Sequence, residues 1–166
     1  MALTPPEIAL LLDLLDQAFD KKAWHGPNLR GAIRRVGASQ AGWRPAPGRR
    51  SIADIVVHAA YWKYAVRRRL LGGKRGSFAL KGSNWFGLPE PLTELAWCDH
   101  VALLSTEHLA LRAAVAAFPA QQLHQPSTGS RFTNASLIQG IAAHDLYHAG
   151  QVQLLKRLHA AGEDDL

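Results

Sequence analysis

Ile141-Ala142-Ala143-His144-Asp145-Leu146-Tyr147-His148-Ala149-Gly150-Gln151, near the C-terminal end, says more about this chain than any other stretch. Leu137, Ile141, His144, His148, Gln151, Leu155 and Leu158 follow one another at alternating steps of four and three. That spacing is the seam of a helix packed against other helices. Three consecutive seam positions, His144, His148 and Gln151, are polar. A buried polar group without a partner costs roughly 1–3 kcal/mol, so three in succession require partners. Two imidazoles one turn apart on one helix face can meet at a single point, and a divalent metal satisfies both. The alternative is a pair of core histidines bonded to carbonyls or water.

Most metal sites take more than two protein ligands. The chain has eight histidines, and His58 is the one placed like the pair at 144 and 148. It lies in Ser51-Ile52-Ala53-Asp54-Ile55-Val56-Val57-His58-Ala59-Ala60-Tyr61-Trp62, a helical pattern that opens on a capping serine with Asp54 three residues later. Ile55, His58 and Trp62 are spaced at three and four, which puts His58 on or beside an apolar face. Three histidines with open positions left on the metal is the pattern of a catalytic site rather than a closed structural one.

These residues resemble the DinB-like (YfiT-related) superfamily. The resemblance rests on a lone helical histidine, His58, after the lead-in Trp43-Arg44-Pro45-Ala46-Pro47-Gly48-Arg49-Arg50-Ser51-Ile52, followed much later by His144-Asp145-Leu146-Tyr147-His148-Ala149-Gly150-Gln151. It extends from about Ile8 to Leu158. It implies an all-α fold, a four-helix bundle with up-down-down-up connectivity and a long crossover between helices two and three. It also implies one divalent metal ion, zinc or nickel foremost, held by His58, His144 and His148. Homodimers are common in the superfamily. Characterised members include S-transferases that use bacillithiol, glutathione or mycothiol, and a mycothiol-dependent isomerase. The resemblance therefore names a site more sharply than a reaction, with a low-molecular-weight thiol as the expected cosubstrate.

The remaining sequence agrees with one helical domain over residues 1–166. Apolar residues make up 48% of the chain and charged residues 19%, the balance of a globular protein. Leu and Ala dominate and β-branched residues are few, which favours helix. One cysteine, Cys98, excludes an intramolecular disulfide, suits a reducing cytoplasm, and reads as a small buried side chain. No targeting segment is visible, and no run of about 18 apolar residues is available to cross a membrane. The net charge of +6 gathers at Arg34-Arg35, Arg49-Arg50, Arg67-Arg68-Arg69 and Lys74-Arg75. No groove-reading motif accompanies these clusters. A nucleic-acid partner is thus less expected than a solvated face or a field that draws in an anionic small-molecule substrate.

Along the chain, Thr4-Pro5-Pro6-Glu7 reads as the capped start of a first helix that ends near Lys22. A short helix is expected over 28–36, a loop over 38–50, and a second long helix from Ser51 to Leu71. Residues 72–90 form the crossover, where Trp85 and Phe86 are expected to pin the loop over the bundle or, alternatively, to line a substrate pocket. A third helix is expected to begin near Pro91–Thr93 and run to Phe118. The last is capped by Thr133 or Asn134 and runs to about Ala161, with Glu163-Asp164-Asp165-Leu166 frayed beyond it. Gly150 inside that helix suggests close approach of a neighbour. His108 falls in the seam of the third helix and is a reserve ligand or base; His100 is expected to face solvent or the pocket rim, and His25 a loop.

A metal held by three neutral imidazoles keeps its full charge and can activate a bound thiol or water. Gln151, one turn beyond His148, is placed to orient that imidazole or a bound water. Asp145 points about 100° away from His144 and is expected to pair with a basic group on a neighbouring helix. Tyr147 is expected to hydrogen-bond across the bundle. No His-Glu-x-x-His motif, serine elbow, phosphate loop or dinucleotide fingerprint is present. Three functions remain open: a thiol S-transferase, a metal-dependent hydrolase, and a non-catalytic metal or small-molecule binder of a stress response.

Overall fold

The computed structural model describes residues 4–76 and 78–164. Among these residues the chain is entirely helical, with no strand. Its elements are α1 (Pro6–Phe19), α2 (Leu29–Ala32), α3 (Ala38–Gly42), α4 (Ile52–Leu70), α5 (Glu94–Ala116) and α6 (Asn134–Asp164), with a single 3₁₀ turn (Ala120–Gln122) after α5. No helix among the described residues is long and apolar enough to cross a membrane.

The long helices α1, α4, α5 and α6 pack as neighbours: α1 against α5 and α6, and α4 against the same two. Side-chain pairs give their senses. Asp16 takes a bidentate bond from Arg112 (2.7 and 2.9 Å), and Phe19 stacks on His108, so α1 and α5 run oppositely. His58 lies against His148 and Lys63 against Asp145, so α4 and α6 also run oppositely.

The core has two apolar clusters. One gathers Phe19, Leu29, Ile52, Ile55, Val56, Ala60, Trp97, Leu104, Ala149 and Val152; the other gathers Ile8, Leu11, Leu15, Val66, Leu111, Val115, Ile138, Ile141 and Ala142. Between them on α4, α5 and α6 lie Lys63, His108 and Asp145. Lys63 and Asp145 are both fully buried and form an ion pair. The Lys63 ammonium also sits 3.4 Å from His108 Nδ1 and 5.0 Å from the centre of the Phe19 ring. Asp145 thus takes the helix-pairing role expected of it.

Local chemistry sets several ends differently from the expectation. Pro5, not Thr4, occupies the cap of α1 with no side-chain bond, because Pro6 takes the first helical position; the helix stops at Phe19. The stretch 28–36 is helical only over α2, capped by the Asn28 side chain (Gly31 N to Oδ1, 2.7 Å) and followed by Arg35 in the left-handed region (φ 63°). Residues 38–42, expected as loop, form α3. Its Ala38 amide donates to Glu94 Oε1 (2.8 Å), a cap supplied from a residue 56 positions away. Thr133 caps α6 through Ser136 N (3.1 Å), and that helix overruns Ala161 to Asp164. Asp165 and Leu166 of the tail expected to fray lie outside the described residues.

The packing role foreseen for Gly150 is overturned: a methyl group placed there meets nothing within 4 Å. Gly150→Ala is accordingly expected to stabilise the protein by about 0.5–1 kcal/mol, read from urea unfolding. Lys63→Met, which leaves the Asp145 carboxylate buried without its cation, is expected to cost roughly 3–5 kcal/mol. Lys63→Met combined with Asp145→Leu should recover most of that loss, and a double variant as unstable as the single one would contradict the pairing.

Candidate metal centre

Ser51 fixes the start of α4 with a complete capping box. Its Oγ accepts from Asp54 N (3.1 Å), and Asp54 Oδ2 accepts from Ser51 N (2.8 Å). Arg44 ties the lead-in to this cap: it pairs with Asp54, donates to the Arg49 carbonyl (2.8 Å) and reaches Glu90 of the crossover (2.9 Å). His58 is carried two turns in from this anchored end.

On α6 the buried stripe runs through Ile138, Ala142, Asp145, Ala149 and Val152, with Ile141, His148 and Leu155 beside it. It lies one position away from the seam read from sequence. His144 and Gln151 are half-buried, and Leu158 is exposed. The histidines therefore stand at the edge of the core, where a ligand can reach them.

His58, His144 and His148 bring one ring nitrogen each to within 4.8 Å of one another. Nε2 of His144 lies 3.1 Å from Nε2 of His58 and 3.0 Å from Nε2 of His148. The opposite nitrogens of two rings are already engaged. His58 Nδ1 faces the Asn84 carbonyl oxygen at 2.9 Å, and His148 Nδ1 faces Gln151 Oε1 at 2.6 Å. Gln151 in turn donates from Nε2 to the Tyr147 hydroxyl (3.1 Å). With oxygen acceptors at Nδ1, the neutral rings of His58 and His148 carry their protons there and turn lone pairs inward from Nε2. His144 Nδ1 is buried and no group bonds it.

Burial holds all three rings in the neutral, ligating form. His144 is pushed down to about 3, by burial first and then by His148, His58 and Lys63. His148 is pushed down to about 4 by burial, against the opposing bond from Gln151. His58 is lowered by burial, against the Asn84 carbonyl. Converging lone pairs that resist protonation fit a cation that accepts imidazole nitrogen, so the three rings can hold a metal ion.

The crossover covers one side of this cluster. Trp85 stacks on His58 (ring centres 3.9 Å apart, planes at 10°), and the Arg50 guanidinium lies 4.4 Å over Trp85. Asn84, in the left-handed region (φ 64°), aims its carbonyl at His58 while its side chain accepts from Trp62 Nε1 (3.0 Å). The rings open on a cavity of about 560 Å³ lined also by Arg49, Arg50, Tyr147, Gln151 and Leu154.

Residues 23–152 match the family described as the DinB superfamily. The chain belongs to the DinB superfamily. No curated protein and no solved structure gives a significant match. In this DinB-superfamily chain, sequence reasoning found the three histidines, Gln151 and the part played by Asp145. It missed Asn84, Lys63 and Arg44; Trp85, read as a pin for the loop with a place in a substrate pocket as the alternative, lines the cavity. A signal for Asn84 existed in Gly82-Ser83-Asn84-Trp85, since Asn tolerates left-handed turns.

Other candidates fall elsewhere. His108 is buried outside the cluster, stacked on Phe19. His100 is buried rather than at a rim, and Cys98 is exposed rather than buried, because Trp97 turns inward to donate to the Val36 carbonyl (2.7 Å) and rotates its neighbour outward. Tyr147 is exposed and bonds along its own helix, not across the bundle.

His108 makes the fold acid-sensitive. Burial first, then Lys63, pushes it down to about 3, while an unfolded histidine titrates near 6.5. Below about 6.5 the unfolded chain binds a proton that the folded one does not, so its contribution is complete above that pH and is lost as pH falls toward 3. His108→Phe, which keeps a ring against Phe19, is expected to make the fall in unfolding free energy between pH 7 and pH 4 shallower; His144 and His148 still act in that window. An unchanged slope in urea titrations would contradict this.

Proposed function

We propose that this protein is a divalent-metal-dependent enzyme of the thiol S-transferase type, with zinc or nickel held by His58, His144 and His148. The observation that carries the reading is the convergence of three Nε2 atoms, two of them on rings whose Nδ1 is already engaged. A divalent ion held there would lower the pKa of an approaching thiol or water and polarise a carbonyl.

The protein's own groups supply the rest. Gln151 and the Asn84 carbonyl orient two of the ligands and raise their basicity. Trp85 shields one face of His58 from water. Arg49 and Arg50 give the cavity a positive mouth that attracts an anionic small-molecule substrate, such as a low-molecular-weight thiol bearing carboxylates. Among the described residues the cavity lining contains no carboxylate to serve as a general base. That favours a thiol, which is itself a strong nucleophile once deprotonated, over water and a hydrolase reaction. The exposed Cys98 suits a reducing cytoplasm, and the reading includes a homodimer, on superfamily grounds.

Elemental analysis of untagged protein tests the centre. We expect about one divalent ion per chain in the wild type and little in His58→Ala and His148→Ala. Gln151→Leu is expected to weaken zinc binding about 10–100-fold while leaving the fold intact. Wild type that takes up no zinc or nickel would end the enzyme reading. Metal-loaded protein that turns over no thiol with any electrophile in a broad screen would leave a metal-binding protein without this activity.

A further inference from the structure

His144 lines a second cavity as well. This space, of about 300 Å³, is walled by Trp62, Val66, Phe132, Leu137 and Ile141 and reaches Gly140 on α6. Its surface is almost wholly apolar, Arg69 and Ser136 being its polar members besides His144. The Trp62 indole N–H is engaged by Asn84 Oδ1, so that side chain adds no free donor. Gly140 sits inside a helix, where glycine is disfavoured, and a methyl group there meets nothing within 4 Å. The helix thus leaves open space beside His144 that most residues would occupy. The first cavity is also largely apolar but carries more polar groups, with Arg49, Arg50, Tyr147 and Gln151 around it. The two spaces share one imidazole, which stands where their contents would meet.

We infer that the second cavity receives an uncharged, apolar group of the substrate, about the size of one substituted ring, while the anionic group enters beside Arg49 and Arg50. The volume lies at the small end of ligand pockets, and the lining offers no carboxylate to a cationic group. The inference rests on the metal-centre reading for the reaction it would serve, but the apolar cavity can be tested apart from it. A second copy of the chain, seated on the half-exposed Phe132, is the competing occupant.

The test is a titration of metal-free and zinc-loaded protein with ethylbenzene, followed by methyl NMR. Saturable shifts at Val66, Leu137 and Ile141 are expected. In Gly140→Leu, whose side chain fills the space, affinity should fall at least tenfold with zinc content unchanged. Phe132→Ala should weaken binding several-fold at a surface position, which keeps the test decisive even if the helix variant unfolds. Absence of saturable shifts, or equal affinity in wild type and both variants, overturns the proposal. So does sedimentation showing a wild-type dimer that Phe132→Ala converts to monomer without altering ethylbenzene binding. Ethylbenzene bound as expected by protein that takes up no zinc supports the apolar cavity and removes the metal-centre reading instead.

Discussion

The fully buried ion pair between Lys63 and Asp145 is the constraint on which the rest of this structure depends. It lies in the polar layer between the two apolar clusters. Apolar surfaces slide past one another at small cost; a charge in the middle of a bundle does not, because any displacement strands it without its partner. Burial holds the Asp145 carboxyl above the usual carboxylate range, and the Lys63 ammonium opposes that rise. A pair of this kind adds little net stability over a well-packed apolar replacement, and its best-attested use is to fix register. Here it fixes α4 against α6. Because His58 stands five residues before Lys63, and His144 and His148 flank Asp145, the same register brings the three imidazoles together.

This accounts for what was legible in the sequence. The four long helices were readable because their apolar spacing and ends such as Ser51 with Asp54 are local signals. So were the histidines, since polar residues in an apolar stripe demand partners. The seam on α6 was displaced by one position because the spacing alone does not put a carboxylate, Asp145, at the centre of a buried stripe; Lys63, 82 residues away, makes its burial tolerable. α3 was missed for a related reason. Its cap comes from Glu94, and no local pattern announces it. The inward turn of Trp97 likewise depends on the Val36 carbonyl, so the exposure of Cys98 and the burial of His100 could not be read from neighbouring residues.

The centre joins two kinds of environment. Its histidines are neutral because they are removed from water, yet they border a cavity rimmed by arginines. The nitrogens that burial keeps unprotonated are the same ones that face one another across the cluster. The arginines outside add a positive field that repels metal cations at long range and attracts anions.

Two of the three histidines are oriented by different parts of the chain. His148 is held by a side chain, the Gln151 amide, whereas His58 is held by a main-chain oxygen at Asn84. A side-chain partner can be exchanged by one codon, and the strength of its bond tuned with it. A carbonyl oxygen is common to all twenty residues, so substitution at position 84 reaches His58 only through the path of the backbone. The left-handed turn there accepts Asn or Gly and resists β-branched residues. Sequence drift can thus adjust one half of this centre in small steps, while the other half changes only when the crossover is rebuilt.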